Sequence, residues 1–164
     1  MPTPGTQQGG SAATRIADFL AQRELALLGM SRSGRKFGNA IFKELIRKNY
    51  RVYPVHPQAG SIQGQKCWPN VLDLPVKVGG AVIVLPPAQT EKALQDIARA
   101  GIKRVWMQQG SGSETAIRFC EQNGITAVDG ECILMFVEPV TSVHRLHRWI
   151  WRLLGKLPKT NTEI

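Results

Sequence analysis

The sequence has few cysteines and no long apolar run. Its three cysteines, Cys67, Cys120 and Cys132, have a spacing that fits neither a disulfide framework nor a paired-cysteine metal site, so a reducing cytoplasm is the expected setting. The longest apolar stretch, residues 132–137, is far shorter than the roughly 18 residues that a membrane helix needs. Residues 1–11 lack the basic and apolar regions of a secretory signal and are expected to form a disordered tail.

Acidic residues are also scarce, and the excess of positive charge is localised. The chain of 164 residues has 12 acidic and 21 basic residues, a formal net charge of +9. Residues 29–51 carry a net +6 and residues 141–164 a net +4, whereas the rest of the chain sums to −1. Since 43% of the residues are hydrophobic, the length and composition suit one domain with one core, and each basic segment needs its own explanation.

Short apolar runs alternate with helical patterns along most of the chain. Strands are predicted to start near residues 25, 51, 81, 103 and 125, at intervals typical of strand–helix–strand units. The predicted helices span residues 12–22, 39–49, 90–100 and 113–124, with Ser11, Thr90 and Ser113 as N-caps. We therefore expect an α/β fold over residues 12–138, a Rossmann-like doubly wound parallel sheet of about five strands.

Ligands of such sheets bind at the carboxyl ends of the strands, and the loop after the first strand is rich in groups that bind phosphate. That loop contains Gly29, Ser31, Arg32, Ser33, Gly34, Arg35 and Lys36. Glycines let the backbone approach an anion closely, the following helix offers free N–H groups, and hydroxyls and bases add further donors. The sequence therefore predicts a phosphate site here.

The kind of nucleotide is narrowed by what the two loops lack. The first loop matches neither GxGxxG nor the GK[ST] ending of a P-loop, which argues against triphosphate hydrolysis. After the second strand come His56, Pro57 and Gln58, with no acid to hold the ribose hydroxyls as in NAD-binding proteins. The nearby bases, Arg35 and Lys36, favour a ribose that carries an extra phosphate, a feature that NADP and coenzyme A share.

Six segments, read in order, carry a family resemblance. They are ALLGMSRSGRKFGNAIFKEL, YRVYPVHPQ, GQKCWPNVLDLP, AVIVLPP, GIKRVWMQQG and GITAVDGEC. Over roughly residues 13–137 the chain resembles the single-domain CoA-binding protein family, which is related to the CoA-binding domain of the succinyl-CoA synthetase alpha subunit. The resemblance implies binding of coenzyme A or an acyl-CoA and assigns no reaction, because the synthetase's phosphohistidine and nucleotide-grasp subunit have no counterpart in the sequence.

The resemblance also implies a set of cofactor-binding positions. It places the phosphate loop at residues 31–34, a proline-containing wall beside the adenine at residues 85–87, and a family cysteine at Cys132. The full predicted set is Gly29, Ser31, Arg32, Ser33, Gly34, Arg35, Lys36, Phe37, His56, Pro57, Leu85, Pro86, Pro87, Gln108, Gln109 and Cys132.

Catalytic and metal sites are weakly indicated. A Cys132 thiolate could exchange with the CoA thiol, but a buried inert cysteine is the more frequent case. His56 has no carboxylate close in sequence to orient it as a general base, and His144 and His147 lack a third metal ligand nearby. We therefore expect no metal and assign no catalytic residue, with an NADP(H)-binding enzyme or redox sensor as the alternative.

The second basic segment has the pattern of an amphipathic helix. In residues 139–164 apolar positions recur at steps of three and four from Val143 to Leu157, with bases between them. Such a helix could dock on the sheet or form a homodimer seam. The alternative is a membrane-surface or protein-partner adaptor, since Trp149 and Trp151 beside basic residues suit anionic headgroups. No specific nucleic-acid binding is expected, because no recognised binding fold accompanies the charge.

Overall fold

Strands and helices alternate as the sequence predicts. The computed structural model describes residues 10–137. Its helices are α1 (Ala12–Leu20), α2 (Phe37–Arg47), α3 (Pro87–Arg99) and α4 (Glu114–Gln122). Its strands are β1 (Glu24–Leu28), β2 (Arg51–Val55), β3 (Ser61–Ile62), β4 (Gln65–Lys66), β5 (Gly80–Ile83), β6 (Arg104–Gln108) and β7 (Thr126–Glu131). Short 3₁₀ turns span Val71–Asp73 and Ile133–Met135. The predicted N-terminal tail, apart from residues 10 and 11, and the predicted C-terminal helix lie outside the described residues.

Five strands form one parallel sheet in the order β2-β1-β5-β6-β7, which confirms the predicted Rossmann-like α/β fold. After β1 the chain moves outward to β2, and it then returns to the other side of β1 to form β5. This reversal creates a switch point between β1 and β5, where the two connections leave a crevice at the carboxyl edge of the sheet.

The core lies on both faces of this sheet, because the central strands are buried on both sides. On one face the fully buried Trp106 packs edge-on against Phe19, with ring centroids 5.5 Å apart, and its Nε1 donates to the carbonyl oxygen of Glu131 at 2.9 Å. On the other face, α3 and α4 contribute Leu94 and Cys120 to a second cluster. Helices therefore cover both faces and leave the carboxyl edge open for a site.

The antiparallel hairpin of β3 and β4 was not predicted. Its two-residue turn consists of Gln63 and Gly64, both with positive φ (51° and 75°), as type I′ turns require. After the hairpin, the backbone returns to the outer edge of β2. There the N–H of Trp68 donates to the carbonyl oxygen of Pro54, and the N–H of His56 donates to that of Trp68, both at 2.9 Å.

The predicted helix starts are correct for two of three caps. The hydroxyl of Ser11 accepts from the N–H of Thr14 at 3.2 Å, and that of Ser113 accepts from the N–H of Ala116 at 3.0 Å. Thr90 is wrong as the cap of α3, because the helix begins at Pro87. Proline is well suited to the first helical position, where its missing N–H removes no hydrogen bond. The pattern AVIVLPP predicts a third strand over residues 81–87, but β5 ends at residue 83 because the helix begins so soon after it.

In residues 10–137, no helix has both the length and the apolar character to cross a membrane. The same residues contain no cluster of histidine, cysteine and carboxylate side chains arranged to hold a metal ion.

Candidate functional site

A cleft of about 800 Å³ opens at the carboxyl edge, beside the switch point. Its walls come from the loops that follow β1, β2 and β5, from one face of α3 and from residues 69–71. Of the predicted cofactor-binding residues, those that line it are Gly29, Ser31, Arg32, Lys36, His56, Pro57, Leu85 and Pro86. Those outside its lining are Ser33, Gly34, Arg35, Phe37, Pro87, Gln108, Gln109 and Cys132.

Two glycines allow the loop after β1, residues 29–36 (the β1 loop), to fold tightly at the cleft. Gly29 has φ +114°, and a Cβ there would overlap the carbonyl oxygen of Val84. A Cβ on Gly38, in the first turn of α2, would overlap the carbonyl oxygen of Gly29. Only glycine permits these approaches, which bring the start of α2 against the end of β1 and hence to the cleft.

Hydrogen bonds within the β1 loop fix its backbone. The hydroxyl of Ser31 lies 2.9 Å from that of Ser33 and accepts from the N–H of Ser33 at 3.3 Å. The N–H of Gly34 donates to the carbonyl oxygen of Ser31 at 3.0 Å. The carboxamide of Asn39 contacts the same residue: its Oδ1 accepts from the Ser31 N–H at 2.9 Å, and its Nδ2 donates to the Ser31 carbonyl at 3.0 Å. The shape of the loop is therefore fixed by hydrogen bonds from within the protein.

The start of α2 is left open to an anion. Lys36 is its N-cap residue, and no side chain accepts a hydrogen bond from the first turn. In that turn the N–H of Asn39 donates to the carbonyl oxygen of Lys36 at 3.0 Å. The N–H groups of Phe37 and Gly38 have no partner inside the helix and lie at the positive end of the helix dipole. This end of α2 follows directly on the β1 loop, so the N–H groups, the serine hydroxyls and the basic side chains are available to one ligand.

Positive charge dominates the cleft. Arg32, Lys36 and Lys92 line it, and none of them forms an ion pair with a carboxylate of residues 10–137. The single acidic residue of this lining, Asp96, accepts from Asn70 Nδ2 at 2.7 Å and from Arg99 Nη1 at 3.2 Å. The carboxylate is thus already partnered, whereas the three cations can engage an anionic ligand.

His56 presents one ring nitrogen to the cleft side of the chain. Its Nδ1 accepts from the backbone N–H of Gln58 at 3.1 Å, so the proton of the neutral ring is assigned to Nε2. The half-buried His56 and the exposed Pro57 line the cleft opposite Leu85 and Pro86. No carboxylate of residues 10–137 is hydrogen-bonded to His56, whereas a histidine that acts as general base is usually oriented by one.

The other half of the carboxyl edge is occupied by the protein itself. Gln108 is buried, and its Oε1 accepts from the N–H of Ile133 at 3.2 Å. Cys132, which follows β7 and directly precedes Ile133, is also buried. Burial raises the pKa values of the carboxyl groups of Asp129 and Glu131, both at the end of β7. The side chain of Gln108 thus accepts a hydrogen bond from within the protein, and this half of the edge presents carboxylates, which disfavour an anionic ligand.

Sequence reasoning missed several residues of the site. The predicted helix over residues 39–49 includes Asn39 without giving it a role, and the predicted cofactor-binding set lacks the cleft residues Gln89, Lys92 and Asp96. Once α3 is known to start at Pro87, these three fall at steps of three and four along one helical face. That spacing was a usable signal, and the misplaced N-cap at Thr90 concealed it.

Residues 23–138 match the protein family described as CoA binding domain, a match that covers more than half of the chain. The chain belongs to this family. The predicted resemblance to CoA-binding proteins is thereby confirmed, and coenzyme A is supported as the kind of ligand that this CoA-binding domain takes.

Curated relatives of this CoA-binding domain are much longer proteins. The ADP-forming acetate–CoA ligase of Methanocaldococcus jannaschii is 36% identical over 81 residues, which cover 49% of this chain and 12% of that protein. The ADP-forming acetate–CoA ligase I of Archaeoglobus fulgidus is 30% identical over 121 residues, covering 68% of this chain and 18% of that protein. The chain therefore spans less than a fifth of the length of these two relatives.

A similar solved structure is that of a conserved hypothetical protein from Pyrococcus furiosus. It is 39% identical with a TM-score of 0.64, and the match covers 68% of this chain and 96% of that chain. The shared fold thus corresponds to almost the whole of that smaller protein.

Proposed function

We propose that this CoA-binding domain, residues 12–138, holds coenzyme A or an acyl-CoA in the cleft at the switch point and does not itself catalyse a reaction. The observation that carries the proposal is a set of three cleft-lining cations that form no ion pair within residues 10–137. Arg32 and Lys36 belong to the β1 loop before the uncapped start of α2, and Lys92 belongs to α3. Coenzyme A brings a diphosphate and a ribose phosphate, and a cleft with this charge suits such a ligand.

The diphosphate is assigned to the β1 loop. Backbone N–H groups at a helix start bind phosphate oxygens without any side chain, and here Arg32 adds charge at the same place. The hydroxyls of Ser31 and Ser33 are 2.9 Å apart, so the pair can turn one O–H toward a phosphate oxygen. Loop and helix together supply the donors that the diphosphate needs.

The adenine is assigned to the space between the loops that follow β2 and β5. The apolar residues Val55, Pro57, Val71, Leu85 and Pro86 all line the cleft. Flat apolar contacts on both faces suit an aromatic base, and the polar groups of His56 and Gln58 remain at the rim for the ribose.

The ribose phosphate is assigned to the basic side chains at the end of the β1 loop. Lys36→Ala is expected to weaken binding of coenzyme A by about tenfold, the size of one charge-assisted hydrogen bond, and to weaken dephospho-CoA much less. We expect the same result for Arg35→Ala, a weaker binding of coenzyme A than of dephospho-CoA relative to the wild type, although Arg35 lies outside the cleft lining. Equal losses for the two ligands in both variants would show that these bases do not contact that phosphate.

The whole proposal is tested by isothermal titration of the full chain with CoA, acetyl-CoA, NADPH and NADH. We expect CoA and acetyl-CoA to bind more tightly than both nicotinamide cofactors. NADPH shares the phosphorylated ribose and so measures how much of the affinity comes from that group alone. Tighter binding of NADH than of CoA would reject the assignment, because NADH lacks the extra phosphate.

A further inference from the structure

We propose that Asn39 is a positioning residue, which holds the β1 loop in its phosphate-binding shape before any ligand arrives. This inference rests on the proposed function, since it concerns the same loop. Asn39 lies in the first turn of α2 and its side chain is 1% exposed. It would not touch the ligand itself and would act through Ser31.

Both side-chain hydrogen bonds of Asn39 go to the backbone of one loop residue, Ser31. Its carboxamide accepts from the N–H of Ser31 and donates to the carbonyl oxygen of the same residue, at 2.9 and 3.0 Å. That carbonyl also receives the N–H of Gly34, which closes the turn. One side chain therefore satisfies both backbone polar groups of the residue on which the rest of the loop is built.

A purely structural role in holding α2 on the sheet is already provided by other residues. Ile41, Phe42 and Leu45 are buried and pack the helix against the core. Asparagine is a poor helix former compared with alanine, and a buried amide is costly unless both of its ends are hydrogen-bonded. The bonds of Asn39 go to the loop and not to the sheet, so their loss is expected to loosen the loop while α2 stays in place.

A loosened loop weakens binding because the ligand must then order it. Loss of Asn39 leaves the N–H of Ser31 without its partner and the Ser31 carbonyl with the N–H of Gly34 alone, so the loop samples further conformations in the free protein. Binding would have to reverse this disorder, which lowers the affinity although no contact to the ligand has been removed.

The experiment compares full-length wild type with Asn39→Ala by titration with CoA and by hydrogen exchange without ligand. We expect CoA to bind about tenfold or more weakly, as for a buried polar group left unpaired, and the amide of Gly34 to exchange faster. The matched control is Asn123→Ala, which removes an amide bonded to the carbonyl of Phe119 at the exposed end of α4. This control is expected to bind CoA as the wild type does.

A double-variant comparison separates positioning from general destabilisation. In an Arg32→Ala background the effect of Asn39→Ala should shrink to about threefold or less, because a disordered loop and a missing Arg32 side chain lose part of the same interaction. An undiminished effect in that background would mean that Asn39 acts on stability in general and would overturn the inference.

The two proposals fail in different ways. If the wild type does not bind CoA, the proposed function is rejected. If the wild type binds CoA and folded Asn39→Ala binds it within about twofold, only the role of Asn39 is rejected. Should Asn39→Ala not fold, the isosteric Asn39→Asp decides by the same measurements, since it keeps an acceptor for the Ser31 N–H but has no donor for the carbonyl.

Discussion

The β1 loop and the loop after β6, residues 109–113 (the β6 loop), are similar in glycine and serine content but differ in whether they line the cleft. Each contains two glycines and two serines, and each leads from a central strand into a helix at the carboxyl edge. The β1 loop lines the cleft, whereas no residue of the β6 loop does. Glycine and serine content alone therefore does not identify a phosphate site.

Capping and charge account for the difference. In the β6 loop, the hydroxyl of Ser113 accepts from the first turn of α4 and donates to Glu91 Oε1 at 2.6 Å. Ser111 is buried, and Gly112 lies so close to Asp129 that a Cβ would overlap its carboxylate. An anion there would meet two carboxylates and a capped helix. At the β1 loop it would meet cations and an uncapped helix.

The largest expected effect comes from reversing the charge of the β1 loop. Arg32→Glu with Lys36→Glu is expected to weaken CoA binding more than about 100-fold, since two attractive contacts become repulsive. Lys43→Glu with Lys77→Glu, which makes the same charge change at two exposed positions outside the cleft, is the matched control. Similar losses by titration in both double variants would show that only net charge matters and that the β1 loop is not special.

Removing the helix cap in the β6 loop should lower the free energy of unfolding without changing the affinity for CoA. Ser113→Ala loses the hydroxyl that caps α4 and bonds Glu91, and we expect about 1 kcal/mol less free energy of unfolding. CoA affinity should be unchanged, because the β6 loop does not line the cleft. Urea denaturation and titration measure the two quantities, and a clear loss of affinity in a folded variant would place the β6 loop in the site.

The carboxyl groups at the end of β7 predict that the free energy of unfolding depends on pH. Burial raises the pKa values of Asp129 and Glu131 in the folded protein. A raised carboxyl pKa makes the folded state bind more protons, so these groups lower the free energy of unfolding as the pH rises above the ordinary carboxyl range. Asp129→Asn with Glu131→Gln should therefore gain stability relative to the wild type near neutral pH and little or none in acid. Denaturant unfolding at several pH values measures the gain, which contradicts this account if it is independent of pH.

The smallest expected effect concerns the reactivity of the Cys120 thiol in α4, the helix that follows the β6 loop. Burial, with smaller contributions from Glu121 and Asp129, raises the pKa of Cys120 to about 12. We expect no alkylation of Cys120 by iodoacetamide in the native protein near pH 8, with or without CoA, and complete alkylation in urea. Peptide mass spectrometry reads this out, and rapid native labelling would show that this side of the fold opens readily.

The sequence could predict what depends on neighbouring residues. The strand starts and the chemistry of the β1 loop follow from local pattern, and both agree with the fold and with the lining of the cleft. The hydrogen bond from the N–H of Ile133 to the side chain of Gln108 joins residues 25 apart in the sequence, so no local pattern could predict it. The roles of Asn39 and Lys92 likewise depend on how α2 and α3 meet the sheet, which no local pattern contains.

The backbone pairing of Trp68 with the outer side of β2 has a consequence for how the molecule meets its neighbours. β2 is a terminal strand of the sheet, and an unpaired terminal strand invites another chain to extend the sheet. Here Pro54 has no N–H to offer, and its carbonyl and the N–H of His56 are already engaged by Trp68. The segment that contains Trp68 and continues into the cleft-lining residues 69–71 therefore protects this edge of the sheet against strand-by-strand aggregation.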